Sequence, residues 1–167
     1  IHNRKGLSYI WLRLKSKYGY IYIFNIYSPP NNASIRTQAL SLHTKIDSIN
    51  DLKDTVGIVI GGDFNSPLQQ TKCRNDNSKD KKLFRIWNSN LAFNRTQTQI
   101  LNLEIPSRPC SKGWLDHIVW ITRSKIDLSK PTSIITGSDH LGLHTYIPYQ
   151  IEKTYKQGYR FERMTQQ

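Results

Sequence analysis

Residues 57–67 read Gly-Ile-Val-Ile-Gly-Gly-Asp-Phe-Asn-Ser-Pro, an apolar run that stops at two glycines, a carboxylate, an amide and a proline. An apolar run of this kind is typical of a buried strand, and Pro67 prevents that strand from continuing. Asp63 and Asn65 are two residues apart, so their side chains project from the same face. An acid and an amide side by side can hold and activate one water molecule. The stretch therefore predicts a buried strand that carries chemistry at its end.

Three more motifs share the chain with this strand. Residues 25–30 read Asn-Ile-Tyr-Ser-Pro-Pro, residues 114–118 read Trp-Leu-Asp-His-Ile, and residues 137–143 read Gly-Ser-Asp-His-Leu-Gly-Leu. In this order, with the 57–67 stretch after the first, they resemble the endonuclease/exonuclease/phosphatase superfamily. Its members are metal-dependent phosphodiesterases, including abasic-site endonucleases, pancreatic deoxyribonuclease and the nicking endonucleases of non-LTR retrotransposons. The last group is closest in appearance, although any one motif alone would also fit an ordinary strand-to-turn junction.

The resemblance implies an α/β (α+β) fold: a four-layer sandwich of two packed, mostly antiparallel β-sheets with helices outside. The N-terminal half of the family normally supplies an Asn and a metal-ligating Glu, and neither motif has a counterpart before Tyr27. The sequence also opens with Ile1, and its only methionine is Met164. We therefore expect the C-terminal portion of the domain at residues 1–148, with the N-terminal half missing, and a basic extension at 149–167.

Residue periodicity predicts the elements of this domain. Aromatic and β-branched residues indicate a hairpin of two strands, and apolar residues at three- and four-residue spacing indicate helices. The segment 94–105 fits either an edge strand or irregular structure, and the charged segment 71–82 is predicted to be a surface loop. The predicted elements are the hairpin strands 7–14 and 18–27, the helices 34–50 and 83–90, and the strands 57–63, 115–121, 133–136 and 141–147.

The resemblance assigns catalytic roles to five residues. Asp63 would act as the general base that takes a proton from the attacking water, and Asn65 would orient that water or a phosphoryl oxygen. His140 would donate a hydrogen bond to the scissile phosphate, and Asp116 would hydrogen-bond its other imidazole nitrogen. Tyr27 would give its hydroxyl to the phosphate or to the leaving oxygen. An isolated His or Asp would more often be structural, so these roles depend on the ordered set of motifs.

The resemblance also implies a divalent metal ion, with Asp139 and Asp63 as its ligands. Their oxygen atoms suit Mg²⁺, or Mn²⁺ in its place. Without the Glu of the N-terminal half, two carboxylates would bind such an ion weakly. Whether this chain is an enzyme unaided is therefore left open, and we expect the fragment to be incomplete or inactive.

The charge of the chain predicts a polyanionic partner. Lys and Arg number 24 against 12 Asp and Glu, a formal net charge of +12. Such an excess favours nucleic acid, most simply DNA, through counterion release and steering, although it would also keep a protein soluble. Arg108 and Lys112, in the proline-flanked loop before the 115–121 strand, are candidate phosphate contacts. Plain exposure to solvent is the alternative for both.

Cysteine usage and hydropathy narrow the setting. The two cysteines, Cys73 and Cys110, form no zinc motif and imply no disulfide framework. No apolar run is long enough to span a membrane, and no charged leader precedes an apolar one, so we expect no membrane partner. An intracellular location is expected, with the nucleus as one candidate compartment.

Three functions remain in competition at this stage. The first is a metal-dependent endonuclease acting on DNA. The second is a phospholipid or inositol-phosphate phosphodiesterase of the same superfamily, which the lack of an apolar docking hairpin disfavours. The third is a non-catalytic basic remnant that binds nucleic acid. In each case one face of the sheet would lie open, so we expect a second chain or the missing N-terminal segment to cover it, and poor solubility or oligomerisation without that cover.

Overall fold

The structure, a computed structural model, describes residues 8–29, 32–50, 53–74, 78–90, 97–122 and 128–149. Seven strands and two α-helices lie within these ranges, with short 3₁₀ turns at Gln70–Lys72 and Pro109–Ser111. In chain order they are β1 (Ser8–Ser16), β2 (Gly19–Tyr27), α1 (Asn32–Asn50), β3 (Thr55–Asp63), α2 (Ser78–Asn90), β4 (Gln97–Leu101), β5 (Asp116–Thr122), β6 (Thr132–Ile135) and β7 (Leu141–His144).

The main sheet has five strands in the order β1-β2-β3-β5-β4. The predicted hairpin is confirmed, because β1 and β2 pair antiparallel from Ser8 with Tyr27 to Ser16 with Gly19. β3 runs parallel to β2, so the chain must cross over between them, and α1 provides that crossover. The other pairs of this sheet are antiparallel. The strand ends that carry Tyr27, Asp63 and Asp116 therefore meet at one edge of the sheet.

One face of this sheet packs against the two helices. Side chains alternate along each strand, so every second residue of β2, β3 and β5 points to the helical layer. Burying this apolar surface supplies most of the stability of the layer pair. The buried residues of this core include Phe24, Ile26, Ala39, Leu42, Ile46, Ile58, Ile60, Leu83, Trp87, Val119 and Ile121.

The opposite face is covered only in part. The two-stranded sheet of β6 and β7 and the segment after it pack there, through Leu143, Ile147 and Tyr149, against Trp120 and its neighbours. Tyr149 lies with its ring centroid 6.3 Å from that of Trp120. On β1 the same face is open, since Ile10 is 61% and Leu12 45% exposed. The fold class predicted from the sequence, two sheets with helices outside, is present with a small second sheet.

Most predicted element ends shift by one or two residues, and larger differences from the sequence prediction occur at three places. The predicted loop at 71–82 gives way to α2 at Ser78, because Asp80 lies in the first turn and its carboxylate accepts from Arg74 Nε at 2.8 Å. The undecided segment before 105 contains β4, which pairs with β5. β7 ends at His144 instead of 147. Residues 150–167 of the predicted extension lie outside the described residues.

Two further observations concern the cysteines and the helices. Cys73 and Cys110 are both free thiols. In the part of the chain that the structure describes, no helix combines the length and apolarity that a membrane crossing requires.

The two glycines at the end of β3 differ in what they permit. Gly62 has φ of +135°, and a Cβ there would lie 2.0 Å from the carbonyl oxygen of Ile26. A side chain at this position would push β2 and β3 apart. At Gly61, by contrast, a Cβ would meet no described atom within 4 Å. Gly62 is therefore required by packing, while Gly61 leaves open space on the face that carries Asp63.

Candidate active site

Three candidate residues form a row at the ends of adjacent strands. Tyr27 of β2 is the register partner of Asp63 of β3, and Asp63 is the register partner of Asp116 of β5. Alternation places all three on the face opposite the helices. Tyr27 is 52% exposed at the outer end of this row. The sheet thus brings together side chains that are 36 and 53 residues apart in sequence, counting from 27 to 63 and from 63 to 116.

Asn65 and Asp63 form one hydrogen-bonded turn. The Asn65 N–H donates to Asp63 Oδ1 at 2.7 Å, and its Nδ2 donates to the Ser28 carbonyl at 2.6 Å and to Asp63 Oδ2 at 3.1 Å. Asn65 adopts a left-handed conformation with φ of 47°, which Asn tolerates better than most residues. The Ser28 N–H donates back to the Asp63 carbonyl at 2.8 Å. The carboxylate of Asp63 is therefore fixed from both sides of the turn.

His140, the residue before β7, completes the group. Its Nδ1 donates to Asp116 Oδ2 at 2.7 Å, with the side chains 24% and 17% exposed respectively. The preceding turn is held by Ser138 Oγ, which accepts the His140 N–H at 3.2 Å, and by Thr136 Oγ1, which donates to the His140 carbonyl at 2.8 Å. His140 turns Nδ1 toward Asp116. Nε2, on the other side of the imidazole ring, therefore faces away from that carboxylate.

Asp63, Asp116 and His140 each offer one ligand atom, and these atoms all lie within 4.8 Å of one another. Burial raises the pKa of Asp63 above its ordinary value, and the nearby Asp116 carboxylate adds to this, while the Asn65 N–H and His140 oppose it. A raised pKa suits a carboxylate that must accept a proton. The carboxylates of Asp63 and Asp116 are also oxygen donors of the kind that hard divalent cations prefer, so the residues present fit such an ion.

Asp139 lies beside this cluster with a different partner. Its Oδ2 accepts from Arg108 Nη2 at 2.6 Å, and the two side chains are 52% and 42% exposed. Desolvation would raise the pKa of Asp139, but the hydrogen bond and charge of Arg108 outweigh it and hold that pKa below its ordinary value. Asp139 is thus an ionised carboxylate that Arg108 holds at the rim.

The two predicted phosphate contacts, Arg108 and Lys112, lie on one loop. The Arg108 N–H donates to the Gly113 carbonyl at 3.0 Å, and Lys112 is exposed at the end of the 3₁₀ turn with φ of 52°. Lys72 Nζ lies 4.7 Å from the centroid of the Trp114 ring in the same region. Arg74, by contrast, is engaged by Asp80 and by the Ser111 carbonyl at 2.8 Å. The surface beside the cluster therefore carries positive charge, and we call Arg108, Lys112 and Lys72 the basic rim.

His117 is a supporting residue whose role the motif did not reveal. It is 1% exposed, and its Nε2 donates to the Ser66 carbonyl at 2.8 Å and to the Trp114 carbonyl at 3.1 Å. Its Nδ1 contacts the side-chain amide of Asn102, and its ring lies edge-on to Phe64. The alternation of side chains along β5 is the sequence feature that indicates this role, because the residue after Asp116 must point into the helical core. His117 thereby clamps the segment that follows Asp63.

The sequence matches the Endonuclease-reverse transcriptase family over residues 21–144, which is most of the chain. The chain belongs to this family, within the endonuclease/exonuclease/phosphatase superfamily. No curated protein matches the sequence closely enough to add a relative.

Solved structures of superfamily type share the fold. The catalytic domain of Xenopus laevis APE2 aligns with a TM-score of 0.57 and 14% identity, covering 90% of this chain and 57% of that one. A beta toxin structure from Staphylococcus aureus aligns with a TM-score of 0.54 and 12% identity, covering 83% of this chain and 56% of that one. The present chain thus spans little more than half the length of either, and identities this low show the fold alone.

The buried His117 makes the stability of this family member depend on pH. Burial lowers the pKa of His117 from 6.5 to about 4, against the opposing effect of its carbonyl partners. Between these values the unfolded chain binds a proton that the folded chain excludes, so the free energy of unfolding falls as the pH falls. We expect a loss of about 2 kcal/mol between pH 7 and pH 5.

Urea unfolding at the two pH values measures this effect. His117→Gln keeps a side-chain N–H donor but has no group that titrates, so its stability should start lower at pH 7 and change less by pH 5. His43→Gln is the control, since that residue pairs with Asp47 on the surface of α1. An equal pH dependence in wild type and His117→Gln would contradict the assignment.

Proposed function

We propose that this chain carries the catalytic centre of a Mg²⁺-dependent endonuclease that acts on DNA. The observation that supports it is the convergence of Asp63, Asp116 and His140 within 4.8 Å at one edge of the sheet. Membership of the endonuclease-reverse transcriptase family and the net charge of +12 point to the same chemistry and to a polyanionic substrate. The chain spans only about half the length of the solved structures it resembles. The activity of the whole protein is therefore proposed here together with that of this chain.

The proposed chemistry is hydrolysis of a phosphodiester by an activated water. Asp63 accepts the proton of that water, helped by its raised pKa, and Asn65 orients the water or a phosphoryl oxygen. The Asp116 carboxylate holds His140 so that Nε2 donates to the phosphate oxygen that gains charge in the transition state. Tyr27, half-exposed in the same row, offers its hydroxyl to the phosphate or to the leaving oxygen.

The metal in this proposal is Mg²⁺, or Mn²⁺ in its place. We assign Asp63 and Asp139 as its carboxylate ligands, and Asp116 is a further oxygen donor beside Asp63. When bound, such an ion neutralises charge on the phosphate and stabilises the leaving oxygen. The ion pair of Asp139 with Arg108 places a cation at the same carboxylate. A metal at Asp139 would compete with Arg108 for that carboxylate, and displacement of Arg108 would free its guanidinium for a phosphate.

The DNA contacts are proposed on the basic rim. Arg108 and Lys112 lie on one loop next to the cluster, and Lys72 lies beside Trp114 in the same region. Cations arranged along one side of a phosphodiester site can follow the backbone of a nucleic acid without reading its sequence. Arg74 is omitted from this set, because its guanidinium bonds Asp80 and the main chain of Ser111.

The open sheet face supports a proposal about a partner as well. Ile10 and Leu12 expose apolar surface on the face that β6 and β7 leave uncovered, and Ile135 of β6 is 88% exposed. We assign this face to a further polypeptide segment, either a second chain or a preceding N-terminal part, that packs on it as a second layer. The same segment is the expected source of additional metal ligands.

A nicking assay on supercoiled plasmid in Mg²⁺ tests the catalytic proposal. Asp63→Asn removes the base and His140→Ala removes the donor, so each variant should lower the rate by about 10²-fold or more. His43→Ala on α1 is the matched histidine control and should leave the rate unchanged, as should Asp47→Asn for the carboxylate.

The outcomes separate the three functions considered from the sequence. Nicking that survives both active-site substitutions would overturn the proposal. Salt-dependent DNA binding without nicking would support a non-catalytic nucleic-acid-binding protein instead. Hydrolysis of a phospholipid or an inositol phosphate, without nicking of plasmid DNA, would support the second function, a lipid or inositol-phosphate phosphodiesterase.

A salt titration of DNA affinity tests the basic rim. Each phosphate contact contributes about 0.9 to the slope of log affinity against log salt concentration, so Arg108→Ala with Lys112→Ala should lower that slope by about 2. Arg36→Ala with Arg85→Ala removes the same type and number of charges from the exposed surface of the two helices. Equal slopes for the two double variants would show that the rim has no special role.

Sedimentation velocity tests the open face. The wild-type chain should associate as its concentration rises, because apolar surface on β1 is uncovered. Ile10→Asn with Leu12→Asn should reduce this association, whereas Leu40→Asn, a change at a 55% exposed leucine of α1, should not. A wild-type chain that stays monomeric at all concentrations would exclude the need for a covering segment.

A further inference from the structure

A buried serine outside all four motifs bonds the main chain next to both Asp116 and His140. Ser107 is 1% exposed, and its hydroxyl oxygen accepts the Leu115 N–H at 2.9 Å and the Asp116 N–H at 3.0 Å. Its carbonyl oxygen accepts the N–H of Leu141, the residue after His140, at 2.7 Å. One residue thus bonds the main chain beside both members of the pair.

The strand pairing explains why a hydroxyl is needed at this point. β4 pairs with β5 only as far as Leu101 with Ile118. The Asp116 N–H points to the same edge of β5 as that of Ile118, where β4 has already ended. A main-chain N–H left without a partner in this partly buried place would cost free energy, and Ser107 Oγ supplies the acceptor.

We propose that Ser107 is a positioning residue that holds the Asp116 and His140 side chains at hydrogen-bonding distance. This inference rests on the proposed nuclease function of the same site. Its hydroxyl fixes the main chain of Asp116, and its carbonyl fixes the first residue of β7. The side chains of the pair then meet at 2.7 Å without further adjustment. Because Ser107 is 1% exposed, it would contact neither substrate nor metal and would act only through Asp116 and His140.

This role predicts that the hydroxyl affects the reaction step more than substrate binding. Ser107→Ala keeps the carbonyl and nearly the same volume but removes the acceptor for Leu115 and Asp116. The nicking rate constant kcat should fall about 10-fold or more, since small misplacements of catalytic groups are costly, while KM stays within about two-fold. Ser107→Thr keeps a hydroxyl and should restore most of kcat.

A matched control separates positioning from general stability. Ser16 is also buried, at 2% exposure, and its hydroxyl donates to the Gly19 carbonyl at 2.9 Å in the β1–β2 turn, at the opposite end of β2 from Tyr27. Ser16→Ala should lower the Tm to a similar degree but leave kcat unchanged. If Ser107→Ala lowers only the Tm, with kcat per folded molecule unchanged, Ser107 is merely structural and the proposal is wrong.

A second measurement is independent of activity. The His140 Nδ1 proton, bonded to Asp116, should give a resolved NMR resonance in wild type, Ser16→Ala and Ser107→Thr. In Ser107→Ala it should disappear through faster exchange with water, and the amide protons of Leu115 and Asp116 should exchange faster as well. If wild type does not nick DNA, the proposed function fails while these resonances still decide the role of Ser107. An unchanged His140 resonance in Ser107→Ala would overturn it.

Discussion

The pairing register of β3 with β5 is the constraint on which the site depends. It sets Asp63 directly opposite Asp116 at the last pair of the ladder. Side chains alternate with a period of two, so a slip of one residue would turn Asp116 into the helical core and bring His117 to the open face. The register is locked further along the same strands by Gly57, since a Cβ there would lie 2.0 Å from the ring of Trp120. An indole packed on a bare glycine fits only one alignment of the two strands.

The same alternation gives two adjacent residues opposite tasks. Asp116 is partly exposed and holds the imidazole of His140, whereas His117 is buried and meets carbonyl oxygens and a side-chain amide. Burial keeps His117 neutral by lowering its pKa to about 4, so it serves as a fixed hydrogen-bond donor instead of a proton carrier. β5 and the segment after Asp63 are thereby tied together beneath the candidate site, while the proposed catalytic groups lie on the opposite face of the sheet.

Much of the fold was predictable because local patterns and global topology agree. The hairpin, the crossover helix and the apolar strand before Asp63 all follow from periodicity, and the family motifs placed Asp63, Asn65, Asp116 and His140 at strand ends. The start of α2 was missed because charged residues predict a solvated segment equally well in a loop or in a helix. The sequence does not decide β4, because Gln97–Leu101 carries no clear alternation and only pairing with β5 defines it as a strand.

What the sequence did not predict depends on contacts between distant segments. The ion pair of Arg108 with Asp139 joins a loop residue outside the four motifs to the 137–143 motif, and nothing in that motif specifies it. The bonds of Ser107 to Asp116 and Leu141 require knowing where β4 ends. Sequence motifs therefore indicate the groups that we propose for phosphate binding, while the residues that hold them in place become visible only with the strand order.

The open face and the catalytic row impose different demands on one surface. At the β1 side the surface is apolar, through Ile10 and Leu12, which favours a covering layer of protein. Nearer the row it turns polar and shallow: Asn25 is exposed, and Gly61 has open space above it. Under the proposed function, a covering layer that reaches the apolar part would have to stop before Asp63, because a phosphodiester would need access there from the proposed contacts at Arg108 and Lys112. Ile10, Asn25 and Gly61 lie in one cross-strand row, so a packed second layer would end, and a substrate cleft begin, between Ile10 on β1 and Gly61 on β3.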